Sequence, residues 1–291
     1  MKKILASLLI IGSFSCKQAK KDADKTEENI VEVVKPEVKL YTFSGGNVRA
    51  NMLEIFSQDT TYTGQSKEFA DAFYVISHPK GNLMWDAGLP EGFVGMPEPF
   101  TDPSGAFTVS RNDSVVNQLA SIGMKVDDID FIALSHTHFD HTGHANVFAG
   151  STWLVQQAEY DFITSEETQK NNADNYNAIK ELQNTKKFTG DFDVFGDGSV
   201  VIKSMPGHTP GHQVLYLDMP EHGPLLLSGD LYHFYENREH KRVPSFNFDV
   251  DQTKASMAAF EAFAEEKGAK VYIQHAKGDF EKLPKAPNFL K

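Results

Sequence analysis

The chain has 291 residues, with 28 Lys+Arg against 40 Asp+Glu for a formal charge of −12, eleven His and one Cys. This length allows one or two domains with a sizeable core. The single Cys excludes an internal disulfide framework and thiolate-only zinc sites, and the acidic balance argues against nucleic acid and for neutral or small polar partners.

The N-terminus reads MKKILASLLIIGSFSCKQ. Lys2 and Lys3 are basic, and Ile4 to Ile11 form an apolar run too short to span a bilayer, so residues 1–15 read as a secretory signal peptide. The segment ending at Cys16 resembles a relaxed bacterial lipobox, in which the Cys is lipidated. Ordinary cleavage nearby would instead leave Cys16 lost or free. Either way the expected location is outside the cytoplasm, periplasmic or as a membrane-anchored lipoprotein of a Gram-negative bacterium. Losing Lys2 and Lys3 deepens the charge from −12 to −14. Residues 16–37 are charged with few large apolar side chains, which suits a flexible tether. No second apolar run of ~20 residues follows, so only a lipid anchor would tie the protein to a membrane.

From Val38 to Lys291 strand-like and helix-like segments alternate, as in a single α/β domain. Ala72–His78 and Asn82–Asp86 are β-rich and joined by Pro79-Lys80-Gly81, which predicts a hairpin. Val115, Val116, Leu119 and Ile122 fall at helical spacing within 113–122, and Gly123 is placed to stop that helix. Asp130–Ser135 reads as a short buried strand and 175–187 as a polar helix. Ser199–Lys203, Gln213–Leu217 and Leu225–Ser228 read as strands. Residues 251–267 predict a helix with Asp251 as N-cap and Gly268 as stop, followed by a last strand at Val271–Gln274.

Residues 135–144 read Ser-His-Thr-His-Phe-Asp-His-Thr-Gly-His. His136 and His138 are one residue apart, so on extended backbone both project to one side. Asp140 and His141 follow at once. Imidazole and carboxylate packed this densely after a buried strand form a ready site for Zn²⁺ or a neighbouring divalent ion. Three later residues sit at strand ends: His208 in PGHTPGH, Asp230 in SGD and His275 in IQH. Each alone is compatible with a structural role.

Together these motifs resemble the metallo-β-lactamase superfamily over nearly the whole mature chain. The resemblance implies an αββα sandwich with a two-metal site along one edge. It assigns His136, His138 and His208 to one metal, Asp140, His141 and His275 to the second, and Asp230 as the bridge. Asp86 in MWDAG matches the Asp that supports a ligand His from behind, or else it caps a turn. The bridging carboxylate sets the chain apart from β-lactamases of that superfamily. SHTHFDHTGH, PGHTPGHQ, SGDLYH and RVPSFNFD are most similar to the quorum-quenching N-acyl-homoserine lactonases, in an exported branch.

The implied reaction is opening of the lactone ring by a hydroxide shared between two divalent metals, with Asp140 and Asp230 holding the pair. Lactonases of this type often carry a Tyr three residues after the bridging Asp. Here that position is His233, with Tyr232 before it, and either side chain can donate a hydrogen bond to substrate. His144 and His212 are expected to be supporting or structural, and His78, His222 and His240 to lie at the surface or in loops. Most of the 22 Phe belong to the core, while Phe139, Phe107 and Met52 are candidates to line an acyl channel. A β-lactamase, another lactonase or a glyoxalase II-like thioesterase is the alternative within enzymes. A noncatalytic surface-anchored binding protein is the alternative outside them.

Overall fold

The computed structural model describes residues 35–291, which form one compact unit. The signal segment, Cys16 and the tether up to residue 34 lie outside the described residues. Strands β1 (Lys39–Ala50), β2 (Lys67–His78), β3 (Gly81–Trp85), β4 (Phe100–Thr101), β5 (Phe107–Ser110), β6 (Phe131–Ala133), β7 (Thr152–Gln156) and β8 (Thr185–Phe188) build the first sheet, in the order β4-β5-β1-β2-β3-β6-β7-β8. Strands β9 (Phe192–Asp193), β10 (Val200–Ser204), β11 (Gln213–Met219), β12 (Gly223–Leu227) and β13 (Lys270–Tyr272) build the second, in the order β13-β12-β11-β10-β9. A last strand, β14 (Phe289–Leu290), returns to pair with β1.

The central strands of both sheets are apolar on both faces because both faces are covered. Tyr74, Ile76, Leu83 and Trp85 of the first sheet pack with Val200, Ile202, Leu215, Leu217, Leu225 and Leu227 of the second in one buried cluster. The residues between them in sequence point the other way. Phe73, Val75 and Met84 meet Val115 and Leu119 of α1 (Val115–Ser121) on the outside of the first sheet. Outside the first sheet also lie α2 (Phe139–Thr142), α3 (Gln157–Ile163), α4 (Glu166–Asn171) and α5 (Ala173–Ile179), of which α3 and α5 add Ile163 and Ile179 to that layer. After α6 (Tyr235–His240) comes α7 (Val250–Lys267), which sets Met257, Phe260 and Ala264 against Val214, Tyr216 and Leu226 of the second sheet. The layers are helix, sheet, sheet, helix, the expected αββα sandwich, while α8 (Lys277–Lys282) lies by β2 with Phe280 against the inter-sheet cluster.

Three expectations change in detail. The helix expected over 175–187 ends at Ile179, and Thr185–Phe188 is a strand extending the parallel run beside β7. Asp249, not Asp251, caps α7 by accepting from Gln252 N at 2.9 Å. His78 is buried rather than exposed: its ring stacks on Phe195 at 4.1 Å, and Nε2 lies 3.2 Å from Asp197. His222 sits near Tyr272, and His240 is exposed.

Strands β3 and β6 are parallel, as are β12 and β13. Their carboxyl ends point to one edge of the sandwich, where open α/β sheets commonly assemble sites. The turn after β3 is held by a backbone near-contact. A Cβ on Gly45 would lie 2.7 Å from Gly88 Cα, so neither position admits a side chain. In that turn Asp86 has φ 60°, a left-handed conformation that non-Gly residues seldom take.

Candidate metal centre

Every ligand-type residue expected from the sequence comes from one of those strand ends or the loops beside them. His136, His138, His208 and Asp230 form one group whose ligand atoms lie within 4.8 Å of one another, and Asp140, His141 and His275 form a second. Asp230 joins them. Its Oδ2 lies 3.6 Å from His136 Nε2 and 3.5 Å from His208 Nε2. Its Oδ1 lies 2.9 Å from His275 Nε2 and 3.3 Å from His141 Nε2. Asp140 approaches the second group only, at 3.8 Å from both His141 and His275.

The imidazoles are held from behind. His141 Nδ1 meets Asp86 Oδ2 at 3.0 Å, His208 Nδ1 meets Asn247 Oδ1 at 2.8 Å, and His275 Nδ1 meets the Ala70 carbonyl at 2.9 Å. Each of these bonds places a proton on Nδ1 and leaves Nε2 free to act as a ligand. Asp86 also accepts from Ser135 N at 2.6 Å and Gln274 Nε2 at 2.7 Å, so its strained turn serves the ligand His. His212 is not a ligand. Its Nε2 accepts from Asp230 N at 2.9 Å while Nδ1 faces the Met205 carbonyl at 3.0 Å, and burial takes its pKa down to about 4.

The donor set fits cations. His138 Nδ1 faces His136 Nε2 at 2.9 Å and His208 Nε2 at 3.1 Å, a convergence of imidazole nitrogens that a divalent ion accounts for. Asp230 is buried, and its Oδ1 faces the imidazole nitrogens of His275 and His141. The field is divided accordingly. Burial, then neighbouring imidazoles, push His136 and His208 well below the ordinary range. Burial opposes the charge on His275, but the Asp230 carboxylate outweighs it and takes the imidazole up to about 9; His141 is raised for the same reason. Without metal both rings carry protons at neutral pH, and binding a metal expels them. Adding Zn²⁺ to metal-free protein at pH 7 is therefore expected to release about two protons per chain from these rings, and apparent affinity should rise with pH up to about 9. A pH-indicator titration reads this directly; uptake of metal without acidification would overturn it.

Two expected supporting roles move. Tyr232 is turned away from the centre: its hydroxyl donates to Glu261 Oε1 at 2.9 Å, and its ring packs on Phe260 of α7. Strand-like backbone through Tyr232 puts neighbouring side chains on opposite sides, so His233 faces inward instead. His144 contacts no ligand and pairs with Glu91 at 3.1 Å. Met52 is half exposed and lines none of the cavities at the centre. Phe139 and Phe107 do line one, a chamber of about 270 Å³ walled also by Val48, Phe56, Phe69 and Phe246, with His138, Asp140, Asp230, His233 and His275 at its base. The same two Phe border a second, larger apolar cavity of about 670 Å³ that contains Phe93 and Phe100. Their rings lie 6.2 Å apart.

Sequence reasoning missed Glu159. It is buried in α3, where Oε1 accepts from Thr137 N at 2.9 Å and Thr137 Oγ1 at 2.7 Å, and Oε2 from Gly211 N at 2.9 Å. One carboxylate thus ties the His136–His138 loop to the loop that carries His208. A Glu in an amphipathic helix gives no such signal, because both partners are distant in sequence.

Comparison with known proteins agrees with this architecture. Residues 68–275 match the metallo-beta-lactamase superfamily. An N-acyl homoserine lactonase from Bacillus sp is 30% identical over 81% of this chain and 92% of its own length. N-acyl homoserine lactonase AttM of Azorhizobium caulinodans is 26% identical over 87% of this chain and 98% of its own. A solved N-acyl homoserine lactone hydrolase, with N-hexanoyl-L-homoserine bound at its catalytic metal centre, superposes with a TM-score of 0.74 at 25% identity, covering 88% of this chain and all of the other. The chain belongs to the metallo-beta-lactamase superfamily.

Proposed function

We propose that the protein is a metal-dependent hydrolase that opens the lactone ring of N-acyl-homoserine lactones, a quorum-quenching activity. The carrying observation is that ligands from both groups, His138, Asp140, Asp230 and His275, form the base of a largely apolar chamber, and two rings of that chamber border a larger apolar cavity. This shape takes a small polar ring at the ligands and an alkyl chain along Phe107 and Phe139. The names of the relatives support the same substrate.

His136, His138 and His208 would hold one ion, Asp140, His141 and His275 the other, with Asp230 between them, and the mixed nitrogen and carboxylate donors suit Zn²⁺. Such a pair supplies Lewis acidity and a water of lowered pKa. The protein supplies the rest. Asp140 is the more open of the two carboxylates and borders the chamber, so its oxygen is placed to carry a proton to the ring oxygen as it leaves. His233 is fixed by the 3.1 Å contact of Nε2 with Asp230, while Nδ1 is without a partner among the described residues and is available to substrate. Phe56 and Phe246 pack on the His233 ring and keep the water around it low.

Among the described residues the walls of the chamber carry no Lys or Arg, which disfavours anionic glutathione thioesters and suits a neutral lactone. The test is turnover of N-acyl-homoserine lactones of graded chain length against nitrocefin and S-lactoylglutathione, on protein loaded with metal. Lactones are expected to be opened, and His233→Phe should lower kcat/KM for them by about tenfold through loss of one hydrogen bond. Hydrolysis of nitrocefin with inert lactones would overturn the substrate assignment. Metal uptake with no turnover of any of the three would favour a binding protein.

A further inference from the structure

Two side chains of the chamber, Asn172 and Asn175, are explained neither by the ligand groups nor by the apolar residues; Asn172 is exposed, whereas Asn175 is buried. Asn175 of α5 lines the chamber and is 8% exposed. Its carboxamide takes part in no hydrogen bond among the described residues. Two neighbouring amides are engaged within the protein: Asn146 Nδ2 donates to the Asn177 carbonyl at 2.6 Å, Asn146 Oδ1 accepts from Glu181 N at 3.0 Å, and Asn177 Oδ1 accepts from Lys180 at 3.3 Å. With the residue buried and its carboxamide unpaired where it borders the chamber, its hydrogen-bonding capacity is open to a group that enters the chamber. Helix α5 packs on α2, the helix that starts with Phe139 and Asp140, so Asn175 sits beside the ligand groups and not at the far end of the acyl cavity.

A carboxamide offers one acceptor oxygen and two donor hydrogens. The substrate class proposed above contains one group with both functions, the amide that links ring to acyl chain. Its N–H and C=O are complementary to Asn175, whereas the lactone oxygens and an alkyl chain offer no donor. We infer that Asn175 recognises the amide of the substrate and makes the enzyme selective for amide-bearing lactones over alkyl lactones with the same ring. This inference rests on the lactonase reading.

The experiment compares N-hexanoyl-homoserine lactone with γ-nonalactone, which lacks the amide, on wild type, Asn175→Leu and Asn175→Ala. The ratio of kcat/KM for the two substrates should fall about tenfold in both variants, chiefly through KM for the amide substrate. Inhibition by the ring-opened product N-hexanoyl-homoserine should weaken by a similar factor. Because the ratio is taken within one preparation, a partly inactive variant still answers. An unchanged ratio in either variant overturns the inference. Wild type that opens γ-nonalactone but not the acyl-homoserine lactone overturns the function itself, before any variant is compared.

Discussion

Replacing Asp230 with Asn is expected to remove most of the bound metal and to lower kcat/KM by about a thousandfold. The substitution keeps the volume, so packing is not the cause. What changes is charge and donor pattern. Oδ1 and Oδ2 of Asp230 face opposite ligand groups, at 2.9 Å from His275 and 3.5 Å from His208. A carboxamide keeps one acceptor and turns the other atom into a donor, so one group meets an N–H where it needs a ligand. The buried imidazoles also lose the counter-charge they share. The raised states of His141 and His275 depend on this carboxylate, and both should fall toward the ordinary range in the variant. Metal analysis with steady-state kinetics checks the expectation. Two ions per chain and near wild-type kcat/KM in Asp230→Asn would refute the bridging role.

The parts of this site that were legible in the sequence are those written in contiguous or strand-end residues. His136, His138, Asp140 and His141 lie within six positions, and the strands before His208, Asp230 and His275 show as short apolar runs because they feed the two hydrophobic layers beside the second sheet. The sandwich is legible for the same reason: residues 73–76 and 225–227 alternate between two hydrophobic layers, and no face is left polar. What stayed hidden depends on backbone direction or on partners far along the chain. Tyr232 and His233 are neighbours with similar chemistry, and only the extended conformation after the Gly229–Leu231 turn decides which one faces the ligands. Strand β8 has two Lys and reads as polar helix because its position at the end of the sheet leaves the side chains at 186 and 187 exposed. His78 reads as a loop residue, since nothing in its own neighbourhood announces Phe195 or Asp197.

Glu159 is the sharpest such case, and its removal is expected to separate the two ligand groups. Its three accepted hydrogen bonds join Thr137, which lies between His136 and His138, to Gly211, three residues after His208. Glu159→Gln keeps the length of the side chain but sets an NH₂ against either the Thr137 N–H or the Gly211 N–H. One buried donor then loses its acceptor, and the remaining bonds lose their charge. Glu159→Ala orphans all three donors. The expected loss is about 2 kcal/mol for Gln and about 4 kcal/mol for Ala, which lowers Tm by about 6 and 12 °C in a domain of this size. The damage is local to one group. His136, His138 and His208 sit on the two loops that Glu159 ties, whereas Asp140, His141 and His275 are placed by α2, Asp86 and the β13 end. Metal content should therefore fall from two toward one per chain in Glu159→Gln, with the second group still loaded and turnover largely lost, because the proposed chemistry uses both. A structural prop with no part in metal binding would lower Tm and leave two ions in the protein that remains folded. Metal analysis of the folded fraction decides between these outcomes, and two retained ions would show that the loops hold their histidines without the carboxylate.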